Sequence, residues 1–131
     1  MATPRWVPRL VLDAAHLDQL REHGGLPGIR DENALEAALA RAPQKYHYEP
    51  DSDLATLAAA YAFGVARAHP FNDGNKRAAF LAAMIILGLN GKDLDASETE
   101  VVQVVTALAA GSLTEVALAT WMRERLVRLK L

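Results

Sequence analysis

The stretch His69–Arg77, HPFNDGNKR, combines an acid–base group with groups that bind anions. An unperturbed imidazole has a pKa of about 6.5, so His69 is the obvious general base at neutral pH. Its other possible role is structural, as the C-terminal cap of the preceding helix. Asp73 either caps the following helix or holds Mg²⁺ beside a phosphate. Phe71 is expected to anchor the loop to the core.

The second half of this stretch indicates phosphate binding at a helix N-terminus. Gly74 permits positive φ and close approach of a ligand, and the backbone N–H groups of Asp73 to Asn75 could form an anion-binding nest. Lys76 and Arg77 oppose the helix dipole, which favours acids in the first turn. A bound anion would relieve that conflict; alternatively, both side chains point into water.

These groups together suit phosphoryl transfer, with His69 as base, Asp73 as magnesium ligand and the two cations on the phosphates. The loop has no nucleophile of its own, so the acceptor would come from a substrate. The sequence contains no GxxxxGK[ST] phosphate loop, no zinc-ligand spacing and no GxSxG motif. The absence of cysteine excludes disulfides and thiolate sites.

The 131 residues predict one all-α domain, 1–131, of about six helices. Hydrophobic residues make up 51% and aromatic residues only 6%, which favours packed helices over a β-sandwich. Apolar spacing and capping signals place the helices at Leu12–His23, Glu32–Arg41, Leu54–Ala68, about Asn75–Leu89, after Ser97, and from Ser112 toward Lys130. The third and fourth helices are apolar nearly all round and should be central and buried, with the loop between them.

Local signals fix the expected helix ends. Asp13 is placed to cap the first helix, and Pro43 should stop the second. Gln44–Asp51 would then be an extended loop or a short hairpin. Capping boxes at Ser97–Glu100 and Ser112–Glu115 predict the starts of the last two helices.

Charge and hydropathy limit the possible partners. The net charge of −2 lacks the basic surplus of nucleic-acid binders, so no nucleic-acid partner is expected. The basic residues near the C-terminus are expected to form a solvated helix face. The longest apolar run, Ala78–Leu87, is too short to span a membrane, and the N-terminus lacks a signal peptide. We therefore expect a soluble cytoplasmic protein.

The motif resembles the signature of the Fic/Doc superfamily, whose Fic branch reads HxFx[DE]GNGRxxR. Six positions match it in register: His69, Phe71, Asp73, Gly74, Asn75 and Arg77. Lys76 and Phe80 depart from it, and both departures look like the Doc (death-on-curing) branch, with its HxFx[DN][AG]NKR. The segment Gly25–Gln44 is also similar to Doc-type proteins.

The resemblance implies an all-helical fold and a toxin from a toxin–antitoxin pair. A Doc-type protein would be a kinase that uses ATP and Mg²⁺ to phosphorylate a Ser or Thr hydroxyl of a translation factor, expected to be elongation factor Tu, and so block translation. A Fic-like protein would instead transfer a nucleotide (AMP) to a protein hydroxyl. Lys76, in place of a glycine, favours the reversed nucleotide that presents its γ-phosphate. A third possibility is a non-enzymatic helical interaction module.

The resemblance also implies a role for each motif residue. His69 would be the general base, Asp73 the metal ligand, and Gly74 and Asn75 the anion-hole backbone. Lys76 and Arg77 would bind phosphate, and Phe71 belongs to the same nucleotide-binding loop.

Two further surfaces follow from the resemblance. A flap in Gln44–Glu49 would clamp the target peptide, with Lys45, Tyr46 and His47 as candidates. The cognate antitoxin would fold a tail into an apolar surface groove between the N-terminal helices and the core.

Overall fold

The computed structural model describes residues 3–130, and this range contains six α-helices and one small antiparallel sheet, as the all-α prediction requires. In chain order the elements are α1 (Arg9–His23), α2 (Glu32–Tyr48), α3 (Leu54–Ala68), α4 (Asn75–Leu89), β1 (Lys92–Leu94), α5 (Glu98–Ala110), α6 (Glu115–Arg123) and β2 (Leu126–Arg128).

The core is built around α3 and α4, as predicted. Helix α3 packs against α4, α2 and α6, and most of its residues are buried. Alanines are frequent among the buried residues of α3 and α4, including Ala58, Ala62, Ala79 and Ala83, and such small side chains allow helix backbones to approach closely. The loop that joins α3 to α4 is therefore held at both ends by buried helices.

Helix α1 begins earlier than predicted, at Arg9, directly after Pro8 and without a side-chain cap. The assignment of Asp13 as its cap is wrong. Asp13 lies in the second turn, where it pairs with Arg9 at 2.9 Å. Arg9 also bonds to Glu32 and Glu36, so this cluster ties α1 to α2.

Helix α2 continues through Pro43 to Tyr48, so the predicted stop at Pro43 and the loop or hairpin at Gln44–Asp51 are both wrong. A proline inside a helix costs about 3 kcal/mol because it removes one backbone hydrogen bond. Packing of the last turns offsets this cost: Ala42 is fully buried, and the Tyr46 ring lies edge-on to Trp6 with centroids 5.6 Å apart.

The capping box at the start of α5 is confirmed, with reciprocal hydrogen bonds between Ser97 and Glu100. The second predicted box is wrong by two positions. Thr114, not Ser112, caps α6, and its hydroxyl accepts from the N–H of Ala117 at 3.1 Å. Ser112 instead donates its hydroxyl to a carbonyl at the end of α5.

The last helix is shorter than predicted, because α6 ends at Arg123 rather than continuing toward Lys130. The chain then forms β2, which pairs antiparallel with β1 so that Lys92 lies opposite Arg128. The strand is preferred here because β1 supplies backbone partners. The adjoining N–H of Asp95 donates to the carbonyl of Arg125 at 2.8 Å.

None of the helices in residues 3–130 is both long and apolar enough to cross a membrane.

Asp53 offers a test of how α3 is fixed at its start. Its carboxylate caps α3 by accepting from Thr56 and also binds Arg123 of α6, and that ion pair lowers the pKa of Asp53 far below its usual range. Asp53→Ala should lower the free energy of unfolding by about 1–2 kcal/mol, measured by urea denaturation, because the cap is lost.

Asp53→Asn is the matched variant, since an asparagine caps a helix but cannot form the ion pair. A group with a lowered pKa stabilises the fold above its unfolded pKa of about 3.9, and this contribution is lost as the pH falls through the folded pKa. The advantage of wild type over Asp53→Asn should therefore be complete at pH 7 and shrink below about pH 4. Equal stability of the two proteins at pH 7 would contradict the role of the ion pair.

Candidate active site

His69 occupies an unusual backbone conformation at the end of α3. It is the C-cap of the helix, with φ 48° and ψ 55°, and within residues 3–130 no other non-glycine residue has positive φ. Its imidazole is exposed and forms no hydrogen bond with any residue in this range. The backbone of His69 thus ends the helix while its side chain stays available, and such strained residues cluster at functional sites.

Arg30 holds the backbone of His69 from the neighbouring segment. Its Nε donates to the carbonyl of His69 at 2.6 Å, and its second guanidinium nitrogen donates to the carbonyl of Ala68 at 2.8 Å. A cation at a helix C-terminus is favoured by the dipole and satisfies carbonyls that have no helical partner. Arg30 therefore stabilises the left-handed turn that presents His69.

The loop after His69 is paired with the segment that precedes α2. The N–H groups of Arg30 and Asp31 both donate to the carbonyl of Pro70, at 2.8 and 3.1 Å. The N–H of Asn72 donates to the carbonyl of Gly28 at 3.0 Å. This short antiparallel pairing fixes the course of the loop over its first residues.

Phe71 and Asn75 fasten the loop to the core. The Phe71 ring is buried, with 2% of its surface exposed, as expected for an anchor. The side-chain amide of Asn75 accepts from the N–H of Phe71 and donates to its carbonyl, both at 3.0 Å. The ring and the N–H of Phe71 are therefore engaged within the fold, and direct contact with a nucleotide stays a prediction that this packing does not favour.

Asp73 is held as an ionised carboxylate. One oxygen accepts from the N–H of Leu26 at 3.2 Å, and the other accepts from the N–H of Gly74 at 2.9 Å. These two bonds, with the nearby charge of Arg77, lower the pKa of the exposed Asp73 carboxyl. The expectation that Asp73 caps the next helix is wrong, because Gly74 is the N-cap of α4 and no side chain caps this helix.

The first turn of α4 leaves its backbone donors free. Gly74 adopts the left-handed conformation, with φ 71°, and its own N–H is used by Asp73. The N–H groups of Asn75, Lys76 and Arg77 have no acceptor among residues 3–130, as expected for an uncapped helix N-terminus. Of the predicted donors, Asp73 to Asn75, only the N–H of Gly74 is engaged by the described part of the chain, and the N–H groups of Lys76 and Arg77 add to those available to a phosphate.

Lys76 and Arg77 are exposed, and neither forms a salt bridge with a residue in the described range. Both line one cleft of about 350 Å³ between α4 and α5, whose remaining lining is largely apolar and includes Phe80 of α4 and Val105 of α5. The cations therefore lie beside a concave surface. This placement suits a ligand that is anionic at one end and apolar at the other.

Comparisons with known proteins agree with this geometry. The model of the Fic/DOC family matches residues 6–87, which include α1 to α3, the loop and most of α4. The chain belongs to the Fic/DOC family. It is 34% identical over 112 residues to "Protein kinase doc" of Escherichia phage P1, covering 86% of this chain and 88% of that protein. It is also 44% identical over 75 residues to "Toxin Doc" of Mycolicibacterium smegmatis, covering 56% of this chain and 57% of that protein.

The structure places the flap candidates of this Fic/DOC protein on a helix rather than on an extended flap. Lys45, Tyr46 and His47 form part of the last turns of α2. Tyr46 packs against Trp6, and the exposed His47 lies edge-on to the ring of Tyr48. Contact of these residues with a target peptide stays a prediction.

Two residues that hold the Fic/DOC loop, Arg30 and His16, were not predicted from the sequence. Arg30 lies in the segment that resembles Doc-type proteins, but its role depends on carbonyls about forty residues away. His16 is 4% exposed and bonds to the carbonyl of Asp73. A signal for His16 was present, because it lies on the buried stripe of α1 between Leu12 and Leu20, where a polar residue needs a partner.

Gly25 tests how tightly Asp73 is held. A Cβ at this position would lie 2.7 Å from a methyl carbon of Leu20 and 3.1 Å from Asp73 Oδ2, and the φ of Gly25 is +132°. Gly25→Ala should therefore lower the free energy of unfolding by about 1–3 kcal/mol, since both strain and crowding arise. Amide exchange at Leu26 should also become faster, because its hydrogen bond to Asp73 is displaced.

Gly88→Ala is the matched control, because no atom lies within 4 Å of its added Cβ and it sits inside α4. This variant should gain about 0.5–1 kcal/mol from helix propensity. If Gly25→Ala were as stable as wild type in urea, the close packing of this segment against Asp73 would be refuted.

Proposed function

We propose that this protein is a toxin that transfers the γ-phosphoryl group of ATP to a Ser or Thr hydroxyl of a protein substrate. The proposal rests on the imidazole of His69, which is exposed, has no hydrogen-bond partner among residues 3–130 and is held by a strained backbone on the loop before α4. Within the same range α4 has no side-chain cap, and Lys76 and Arg77 in its first turn form no salt bridge. A base, an anion-binding helix end and compensating charge are the parts that phosphoryl transfer requires.

Each part has one task in the proposed reaction. His69 accepts the proton of the attacking hydroxyl, whose oxygen forms a bond to the γ-phosphorus as the bond to the ADP oxygen breaks. The N–H groups of Asn75 and Lys76 and the side chains of Lys76 and Arg77 bind the phosphate oxygens. The positive charge in the first turn of α4 is unfavourable in the free protein, and a bound triphosphate offsets it.

Asp73 fits the role of magnesium ligand. Its carboxylate is exposed and ionised, and each of its oxygens accepts only one backbone N–H, which leaves lone pairs for a metal. The described residues contain no cluster of three or more acids or histidines that could hold a metal alone. Mg²⁺ is commonly bound by one or two carboxylates together with substrate phosphates, where it neutralises their charge.

Lys76 favours phosphoryl over nucleotidyl transfer. At the corresponding position the Fic pattern has a glycine, which lets the α- and β-phosphates lie against the backbone. An exposed lysine at the second residue of α4 obstructs that approach and supplies a charge for the reversed nucleotide. The name of the phage P1 relative, a protein kinase, agrees with this choice.

The name of the Mycolicibacterium smegmatis relative, a toxin, supports a toxin from a toxin–antitoxin pair. The target that we propose is elongation factor Tu, with arrest of translation as the result. An antitoxin tail has a suitable surface. A groove of about 810 Å³ runs between α1, α4 and α5 and continues the cleft at Arg77. Its apolar lining includes Phe80, Met84 and Val102, and Val102 is 64% exposed.

The direct test is transfer of label to purified elongation factor Tu. Label from γ-labelled ATP should appear on the substrate with wild-type protein and Mg²⁺, and mass spectrometry should find an added phosphate. His69→Asn should lower the rate by about 10²- to 10⁴-fold or more, because an amide cannot accept the proton. Asparagine tolerates the left-handed conformation, so the backbone of the loop is kept.

Label that arrives only from α-labelled ATP, with the mass of a nucleotide, would replace this proposal with nucleotidyl transfer by the same histidine. Normal growth of cells that express the protein without a partner would contradict the toxin proposal. Circular dichroism and urea denaturation of His69→Asn provide the folding control.

A further inference from the structure

His16 lies directly behind the turn that starts α4. It is 4% exposed, and its ring stacks on Phe71 with centroids 3.9 Å apart. Its Nε2 is 2.8 Å from the carbonyl oxygen of Asp73. A Cβ added to Gly74 would lie 3.1 Å from the same nitrogen, so the imidazole and the turn are in close contact.

The direction of this hydrogen bond follows from its acceptor. A carbonyl oxygen can only accept, so Nε2 must carry a proton and donate it. His16 and Ser52 are the buried polar residues of the described chain. Burial of a polar ring without a hydrogen-bond partner is costly. The hydrogen bond to the carbonyl of Asp73 therefore offsets the cost of placing His16 in the apolar stripe of α1.

The hydrogen bond from His16 is made to the Asp73–Gly74 peptide, whose carbonyl accepts from His16 and whose N–H donates to the Asp73 carboxylate. The Asp73–Gly74 peptide is trans and planar, so its carbonyl and its N–H point in opposite directions. His16 holds the carbonyl on the side of α1, which turns the N–H of Gly74 to the other side. That N–H donates to Asp73 Oδ1 at 2.9 Å. The orientation of this peptide plane, together with the N–H of Leu26 that donates to Oδ2, thus sets the orientation of the carboxylate.

We propose that His16 is a positioning residue, which fixes the Asp73–Gly74 peptide and so helps to hold the Asp73 carboxylate in the orientation in which it would bind Mg²⁺ beside the phosphates. The inference rests on the proposed phosphoryl transfer for its kinetic consequence, but the hydrogen bond itself does not. Without the donor, the Asp73–Gly74 peptide loses its restraint on the side of α1, and the hydrogen bond from the N–H of Gly74 to Asp73 weakens.

Two substitutions separate the hydrogen bond from the packing. His16→Phe keeps a ring on Phe71 but removes the donor, and His16→Gln keeps a side-chain N–H donor in place of the ring. His16→Phe should reduce kcat for label transfer about tenfold or more, because small misplacement of reacting groups is costly, with little change in KM for ATP. His16→Gln should restore most of the rate.

Ser52→Ala is the matched control. Its buried hydroxyl donates to the carbonyl of Glu49 at 2.7 Å, away from the loop, so this variant loses a similar bond and some stability without a change in kcat. If His16→Phe and His16→Gln lose the same activity, or neither loses any, the hydrogen bond has no positioning role and the proposal is overturned.

NMR spectroscopy tests the role of His16 without any measurement of activity, and therefore separates it from the proposed phosphoryl transfer. The ring-nitrogen NMR shifts of ¹⁵N-labelled protein should show a proton on Nε2 of His16, and amide exchange at Gly74 should be faster in His16→Phe than in wild type. A neutral His16 protonated on Nδ1, or unchanged exchange at Gly74, would overturn the inference even if the enzyme is a kinase. The expected NMR result with no γ-phosphoryl transfer would instead refute only the proposed function.

Discussion

The backbone conformation between α3 and α4 is the constraint on which the rest of the structure depends. The chain must leave one buried helix and enter another within a short loop, and it does so through two residues of positive φ, His69 and Gly74. A histidine in this region is strained and persists only where its surroundings hold it. The pairing of Gly28–Asp31 with the loop and the guanidinium of Arg30 supply that restraint, so the segment before α2 serves mainly to shape the loop.

The cations at the start of α4, unlike the backbone of the loop, are not held by partners within the described chain. Asp73 is satisfied by backbone donors, whereas Lys76 and Arg77 have no acidic partner in the described chain and α4 has no side-chain cap. At other places in the described chain such groups are paired: Arg123 pairs with Asp53, and Ser97 and Glu100 cap α5. Positive charge in the first turn of a helix opposes the helix dipole, and a bound polyphosphate offsets this local cost.

Features that hydrophobic periodicity determines were predictable from the sequence, capping residues only in part, since Asp13, Asp73 and Ser112 do not cap helices, and contacts between distant residues were not. The two apolar central helices, the capping box at Ser97 and the anchoring of Phe71 were predicted correctly, since periodicity and local capping determine them. Pro43 was misread because the burial of Ala42 and the packing of Tyr46 outweigh a local helix breaker. Arg30 and His16 form hydrogen bonds with carbonyls of residues that are distant in the sequence. Local sequence patterns do not indicate such partners.

The loop is already formed for phosphates before any ligand binds. An NMR titration of the labelled protein with Mg²⁺ and a non-hydrolysable ATP analogue, followed through the backbone amides, tests this most directly. The largest shifts are expected at Asn75, Lys76 and Arg77, whose amides have no acceptor among residues 3–130, with small shifts at Arg30 and Asn72, whose amides are already bonded. No shifts at residues 75–77, or large shifts throughout 28–31 and 69–73, would contradict it.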